Sequence, residues 1–330
     1  MSYQVSNKQS SDTPARRFVV GLVVVVLVAI GVARLVSYLT DEPYIVSLIR
    51  QAATSPLDST ARASLKELGS KAVEPLIAAL SKDNGWKVRE FAVEQLGQLN
   101  DARAIGPLVE VMNNDALSEV RTKAVRALKN IGGEAVVEPL IAALRAHSDH
   151  AVRRTAAWKL GELGDLRAVV PLMDALQKDR NERVRASAAL SLGQIDYKPA
   201  NKLLIAALTN ETSVEIRINA AKALGKKDNG LAVAPLIQAL EDSNLNVRAF
   251  AASSLGHIGD NRGIEPLIET LRDDVWFVRH MVVGALGSFK DRRSVEPLMR
   301  LLEHEDNEDV RDAAISALKQ MGHNPPGENK

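Results

Sequence analysis

Proline returns along this chain with a fixed rhythm, at Pro43, Pro75, Pro107, Pro139, Pro171, Pro235, Pro266 and Pro297. The spacing is 31 or 32 residues, with one slot, at Leu203, left without proline. An apolar residue followed by arginine keeps the same phase at Arg89, Arg121, Arg153, Arg185, Arg217, Arg248, Arg279 and Arg311. Two series locked together mean that one short unit is repeated, and a unit of that length is a supersecondary element rather than a domain. The two ordinary domains that 330 residues would suggest are therefore excluded.

Each unit holds two amphipathic patterns. After the proline slot come pairs such as Leu76-Ile77, Leu140-Ile141 and Leu236-Ile237, with Leu80, Leu144 and Leu240 three residues on, which is helical spacing. Proline falls in the first turn, where its missing N–H does little harm. The second pattern places Ala three residues after the arginine and Leu seven after it, as in Ala92 and Leu96 or Ala251 and Leu255. Glycine follows that leucine at Gly97, Gly161, Gly193, Gly225, Gly256 and Gly287, so the helices are built to approach closely. Gly132, Gly164 and Gly259 suit helix C-caps. One helix pair cannot bury its apolar face alone, so consecutive pairs must stack. The expected fold is all-α, an α-solenoid of about nine two-helix units over residues 43–323.

The segment Ala-Val-Glu-Pro-Leu-Ile-Ala-Ala-Leu at 72–80, with Val-Arg-x-x-Ala-x-x-x-Leu-Gly and Gly-Asp-x-Arg elsewhere, resembles the short HEAT-type repeat of phycobilisome-lyase-like proteins. The resemblance implies the solenoid. It also implies several functions, because that repeat serves scaffolds, bilin lyase subunits and deoxyhypusine hydroxylase. In the hydroxylase, His-Glu pairs at the start of second helices hold two irons. The matching slots here read Glu90-Phe91, Thr122-Lys123, Arg154-Thr155, Ala186-Ser187, Ile218-Asn219, Ala249-Phe250, His280-Met281 and Asp312-Ala313, without one such pair. The only His-Glu dipeptide, His304-Glu305, falls at a turn. No cysteine is present, which removes thiol and cysteine-metal chemistry. No residue is assigned to catalysis, metal or cofactor, the chain is read as no enzyme, and no small-molecule substrate is evident. A hydroxylase-like or bilin-lyase-like enzyme is the alternative. A net charge of +1 gives no basic excess for nucleic acid.

Two regions depart from the pattern. Residues 1–17 are polar, and 18–33 are an unbroken apolar run that extends to 39 if Arg34 snorkels. Residues 18–39 are therefore expected to form a transmembrane anchor, with a cleaved signal peptide ending near Gly31 and Ala33 as the alternative. Lys8, Arg16 and Arg17 place residues 1–17 in the cytoplasm and the repeats outside the inner membrane, in a periplasm if the envelope has one. Residues 324–330 are expected to be a disordered tail. Within the repeats, unit 198–230 carries Leu203 in the proline slot, Asn201 in an apolar slot and Lys227 where others are apolar, so it should pack less well.

Six residues before the ladder arginines lie acids, at Asp83, Asp115, Asp179, Glu211, Asp242, Asp273 and Glu305, with His147 the exception. A carboxylate there can cap the second helix and pair with an arginine of the same or the next unit. Most of the histidines are expected to be solvated surface residues, and Trp86 and Trp276, at the turns, to fold back over their own helix pairs. Positions one and five after the ladder arginine point away from the buried stripe, onto the face of the second helices that curvature makes concave. There stand Arg126, Arg154, Trp158, Leu190, Ile218 and Lys222. A stripe that is part basic and part apolar suits a protein partner. The expected function is a membrane-anchored scaffold or adaptor that binds proteins along this face.

Overall fold

The structure, a computed structural model, describes residues 42–55, 59–226 and 229–324. The chain divides into two compact units, 1–101 and 102–330. In the first unit, α1 (Glu42–Thr54) pairs with α2 (Ser59–Leu68), and α3 (Val73–Ala79) pairs with α4 (Trp86–Leu99). Ile45, Ile49, Leu65, Leu76, Phe91 and Leu96 fill its core. Arg62 on α2 stands over the Phe91 ring, 5.1 Å from its centroid, and donates to the Ala52 carbonyl at 3.1 Å. That arginine joins the two helix pairs of this unit.

The second unit holds seven such pairs. They are α5 (Ile105–Asn114) with α6 (Ser118–Ile131), α7 (Val137–Ala146) with α8 (His150–Leu163), and α9 (Val169–Lys178) with α10 (Glu182–Ile195). Next come α11 (Asn201–Asn210) with α12 (Val214–Leu224), and α13 (Val233–Ala239) with α14 (Leu245–Ile258). Last are α15 (Ile264–Thr270) with α16 (Trp276–Phe289), and α17 (Val295–His304) with α18 (Glu308–Gln320). A 3-10 turn leads into each first helix, and in Leu166–Ala168 and Asn261–Gly263 it is capped by Asp165 and Asp260, whose side chains accept from Arg167 N and Arg262 N. The expected helix ends are found: Gly164 and Gly259 take left-handed backbone at φ 70° and 74°.

The second helices α6, α8, α10, α12, α14, α16 and α18 lie side by side and approach one another more closely than the first helices do. Missing side chains make this possible. A Cβ placed on Gly193 would lie 2.5 Å from the Cα and Cβ of Ala223, and one on Gly256 would lie 2.7 Å from the Cα of Ala285. Hydroxyls then bridge the narrow gap: Ser191 Oγ donates to Ala157 O at 2.9 Å, and Ser254 Oγ to Ala221 O at 2.8 Å. A donor that reaches a neighbouring helix at that distance satisfies itself without water, so the junction stays dry.

The unit at 198–230 departs as its sequence implies. Its second helix, α12, has 11 residues where α10 and α14 have 14. Asn201 in the apolar slot turns its amide to Asn229 Oδ1 at 3.0 Å, and Asn229 in turn donates to Leu224 O at 3.0 Å. A polar pair thus replaces an apolar contact at the end of α12. Lys227 lies outside the described residues.

The membrane placement is corrected. No helix among the described residues is long and apolar enough to cross a bilayer. A 14-residue helix such as α8 is about 21 Å long, short of the roughly 30 Å hydrocarbon core. The anchor expected at 18–39, the tail at 1–17 and most of the tail at 324–330 lie outside the described residues. A single-pass inner-membrane protein with its repeats outside is accordingly not the reading the structure supports.

Two measurements check this packing. Gly193→Ala should lose about 2 kcal/mol in urea unfolding, because backbone and not a flexible side chain stands in the way. Gly284→Ala, on an open stretch of α16 with nothing within 4 Å, should gain about 0.5–1 kcal/mol through helix propensity. Equal effects at the two sites would contradict close approach as the reason for the glycines. In hydrogen exchange, amides of α11 and α12 should open before those of α9, α10, α14 and α16; uniform protection would refute a weak unit there.

Candidate protein-binding face

Two chemistries repeat along the second unit. The first is the arginine ladder at the turns between the helices of each pair. Arg153 makes a fork with Asp179, Nε to Oδ2 at 2.7 Å and Nη2 to Oδ1 at 2.9 Å, while its Nη1 donates to the carbonyls of His147 and Ser148. Arg217 with Asp242, Arg248 with Asp273, and Arg279 with Glu305 repeat the arrangement. The partner is always the acid of the next unit, which decides between the two pairings open from the sequence. Each carboxylate also accepts a backbone N–H two residues on, as Asp179 does from Asn181 at 2.9 Å. One guanidinium therefore fixes its own turn and the following one.

The exception at His147 shows what the slot requires. His147 Nδ1 accepts the Asp149 N–H at 3.0 Å, as a carboxylate would, and Nε2 faces Met112 O at 3.2 Å. The charge moves to Asp149, which takes Arg121 Nη2 and Ser118 Oγ, each at 2.5 Å. Arg121 binds end-on there, and its buried Nε has no partner. His147 is thus half-buried and engaged, not the solvated residue expected, while His150, His257 and His304 are exposed.

Burial raises the Asp149 carboxyl, but hydrogen bonds from Ser118, Arg121 and the Ala151 N–H outweigh it and hold the group at about 2. Asp179, Asp242 and Asp273 are likewise raised by burial and lowered further by their arginines. In Glu305 the Arg279 hydrogen bond is the leading effect and lowers it. Folded values below the unfolded ones give stability that is present above the ordinary carboxylate range and lost as pH falls through the folded values. For Asp149 that window runs from about 3.8 down to about 2 and is worth about 2 kcal/mol.

The second chemistry lies on the face of the second helices. All six residues expected there fall on neighbouring helices: Arg126 on α6, Arg154 and Trp158 on α8, Leu190 on α10, Ile218 and Lys222 on α12. Arg126, Arg154, Trp158 and Lys222 are exposed, Leu190 and Ile218 half-buried. Trp158 is 41% accessible, with the Lys159 ammonium 4.3 Å from its ring centroid. Lys222 leans 3.8 Å from the ring of Phe250 on α14, a contact not foreseen from the residue pattern. Its signal is the aromatic two residues after a ladder arginine.

Of the two turn tryptophans, Trp276 does more than fold back over its own helix pair. Trp276, 43% accessible, meets Phe277 edge-on at 5.9 Å and lines a groove of about 1130 Å³ between α15 and α17 with Arg272, Pro297 and Arg300. It borders the next unit as well as its own pair. The His304-Glu305 dipeptide is split by the ladder, His304 standing in solvent and Glu305 buried against Arg279. Among the described residues no group of three or more His, Asp or Glu is placed to hold a metal ion.

Acid denaturation should follow the carboxylates, with stability falling as pH drops below about 4. Asp179→Asn, which leaves Arg153 buried without its counter-charge, should cost about 3 kcal/mol in urea unfolding at neutral pH. Arg153→Lys should recover little, since a lysine cannot form the fork. A variant within about 0.5 kcal/mol of the parent at Asp179 would remove the ladder from the stabilising interactions.

A profile of HEAT repeats matches residues 42–129, 73–145, 114–193, 137–213, 201–286 and 264–326. No curated protein matches the chain. Among solved structures, Escherichia coli YibA is 20% identical, covers 80% of this chain and 97% of its own, and superposes with a TM-score of 0.56. Kap95p, from a complex with RanGDP, is 13% identical over 86% of this chain and 46% of its own, with a TM-score of 0.61. The CpcE–CpcF complex of phycocyanin lyase from Nostoc sp. PCC7120 is 24% identical over 76% of this chain and 93% of its own, TM-score 0.42. Human deoxyhypusine hydroxylase is 17% identical over 78% and 98%, TM-score 0.38. The last two are enzymes, so the exclusion of catalysis drawn from the sequence is corrected: this repeat architecture includes enzymes. The matches cover nearly all of the described residues, and the chain belongs to the HEAT-repeat family.

Proposed function

We propose that the chain is a scaffold or adaptor that binds a protein partner along the face of its second helices. Arg126, Arg154, Trp158, Leu190, Ile218 and Lys222 form the contact. The observation that carries the reading is Trp158, a large ring left 41% accessible on a helix whose other face is closely packed, between two exposed arginines. Trp and Arg are the side chains that most often anchor protein interfaces. Tighter packing among the second helices than among the first supports a concave surface on that side, where an elongated partner gains contact with several units at once. Kap95p, whose structure was solved bound to RanGDP, offers a precedent for protein binding on this fold.

Arg154→Ala with Trp158→Ala should abolish recovery of crosslinked partners by the full chain while the circular dichroism spectrum and urea midpoint stay unchanged. Both side chains are exposed, so folding does not depend on them. Undiminished recovery by the double variant would place the contact elsewhere.

A further inference from the structure

Many charges in this chain meet an opposite charge within the same turn, helix or neighbouring unit. Ladder arginines meet ladder acids. In the Asp-x-Arg turns, Arg167 meets Asp165 and Arg293 meets Asp291, and on exposed first helices Lys178 meets Asp174 and Arg300 meets Glu296. On the face of α6 and α8 two such charges stand beside an exposed tryptophan, Trp158, without an acid of their own. Arg126 and Arg154 are exposed, and neither meets a carboxylate among the described residues. Lys159 and Lys129 share a single acid, Glu162, at 2.6 and 3.6 Å, so this cluster too keeps a positive excess. The whole chain carries a net charge of only +1.

Moving along the stack, the same face becomes aliphatic within two helices. On α10 Leu190 is half-buried there while Ala186 is buried, and on α12 Ile218 is half-buried and is followed by Lys222, whose ammonium leans over Phe250. Neighbouring helices pack about 8–10 Å apart, so α6 to α12 spans roughly 27 Å. An extended segment of about eight residues covers that length. Guanidinium groups held apart in this way are suited to carboxylates, which each can grip with two donors. Lys159 stands over the Trp158 ring, which stays 41% accessible to an apolar side chain.

From this arrangement we infer that the partner presents an extended acidic segment, its carboxylates on Arg126 and Arg154 and its apolar side chains on Trp158, Leu190 and Ile218. The inference rests on the proposed binding face and adds the chemistry of what binds there. Charge complementarity favours the acidic segment over a nucleic acid, because phosphates would find no counterpart in Leu190 and Ile218.

The test uses the full chain and three labelled probes followed by fluorescence anisotropy: a peptide alternating Glu and Leu, the same peptide with Gln for Glu, and an oligothymidylate of matching length. The Glu-Leu peptide should bind at least about tenfold more tightly than the other two, a difference of about 1.4 kcal/mol. Arg126→Glu with Arg154→Glu should weaken it by about tenfold or more, and added salt should weaken it further. Leu190→Ser with Ile218→Ser should weaken both peptides alike. Equal binding of the Gln peptide, tighter binding of the oligothymidylate, or no binding of any probe overturns the acidic segment. Partner recovery that still depends on Trp158 would then leave the binding face standing, whereas recovery independent of Trp158 would remove both.

Discussion

A guanidinium that reaches from one turn to the next sets the spacing of the second unit. Arg153, Arg217, Arg248 and Arg279 each have Nη1 on a carbonyl of their own turn and Nε and Nη2 on the carboxylate of the following one, so two turns are held by a single rigid fork. The fork is half-buried, where attraction between charges is strong and an unpartnered charge would be costly. With the turns held in step, the second helices lie at the separation at which Gly256 becomes necessary. The pairing is not uniform: at the turn before α12, Arg185 and Glu211 are 3.5 Å apart, against 2.6–2.8 Å for the forks nearby.

The same arrangement frees a surface. Because ladder charge is spent at the turns and small residues are spent between the helices, positions one and five after the arginines of α6, α8 and α12 stay exposed or half-buried and carry neither task. They can vary from unit to unit without disturbing the stack. Across α6 to α12 they do vary, from Arg126 through Arg154 and Trp158 to Leu190 and Ile218. A site on a repeat array is therefore a local departure from the repeat, and its chemistry is read in the side chains that the array does not use.

The fold was legible because proline and arginine each mark one point of every unit, and a periodic pattern fixes helices and their stacking together. The face was legible for the same reason, since distance from the arginine tells which way a side chain points. What stayed hidden depends on neighbours. Nothing in the order of residues says that Arg153 pairs forward with Asp179 and not within its own unit, or that Lys222 lies against Phe250. Nor could it show Asp149 standing in for the missing acid at His147, since that exchange depends on lone pairs placed by the turn. Function was less legible still. Missing His-Glu pairs removed one known chemistry, and the step from there to no catalysis at all went beyond what the residues supported.

The exchange at His147 and Asp149 has a wider consequence. The turn asks for an acceptor at one point and a negative charge near another, and these two requirements are met by different residues in that unit. The ladder is thus redundant in its wiring: a lost carboxylate can be supplied two positions away with the array still in register. Such tolerance lets single repeats drift apart in sequence while the spacing of the whole is kept. It is the condition under which one stretch of a monotonous scaffold can become individual enough to be recognised.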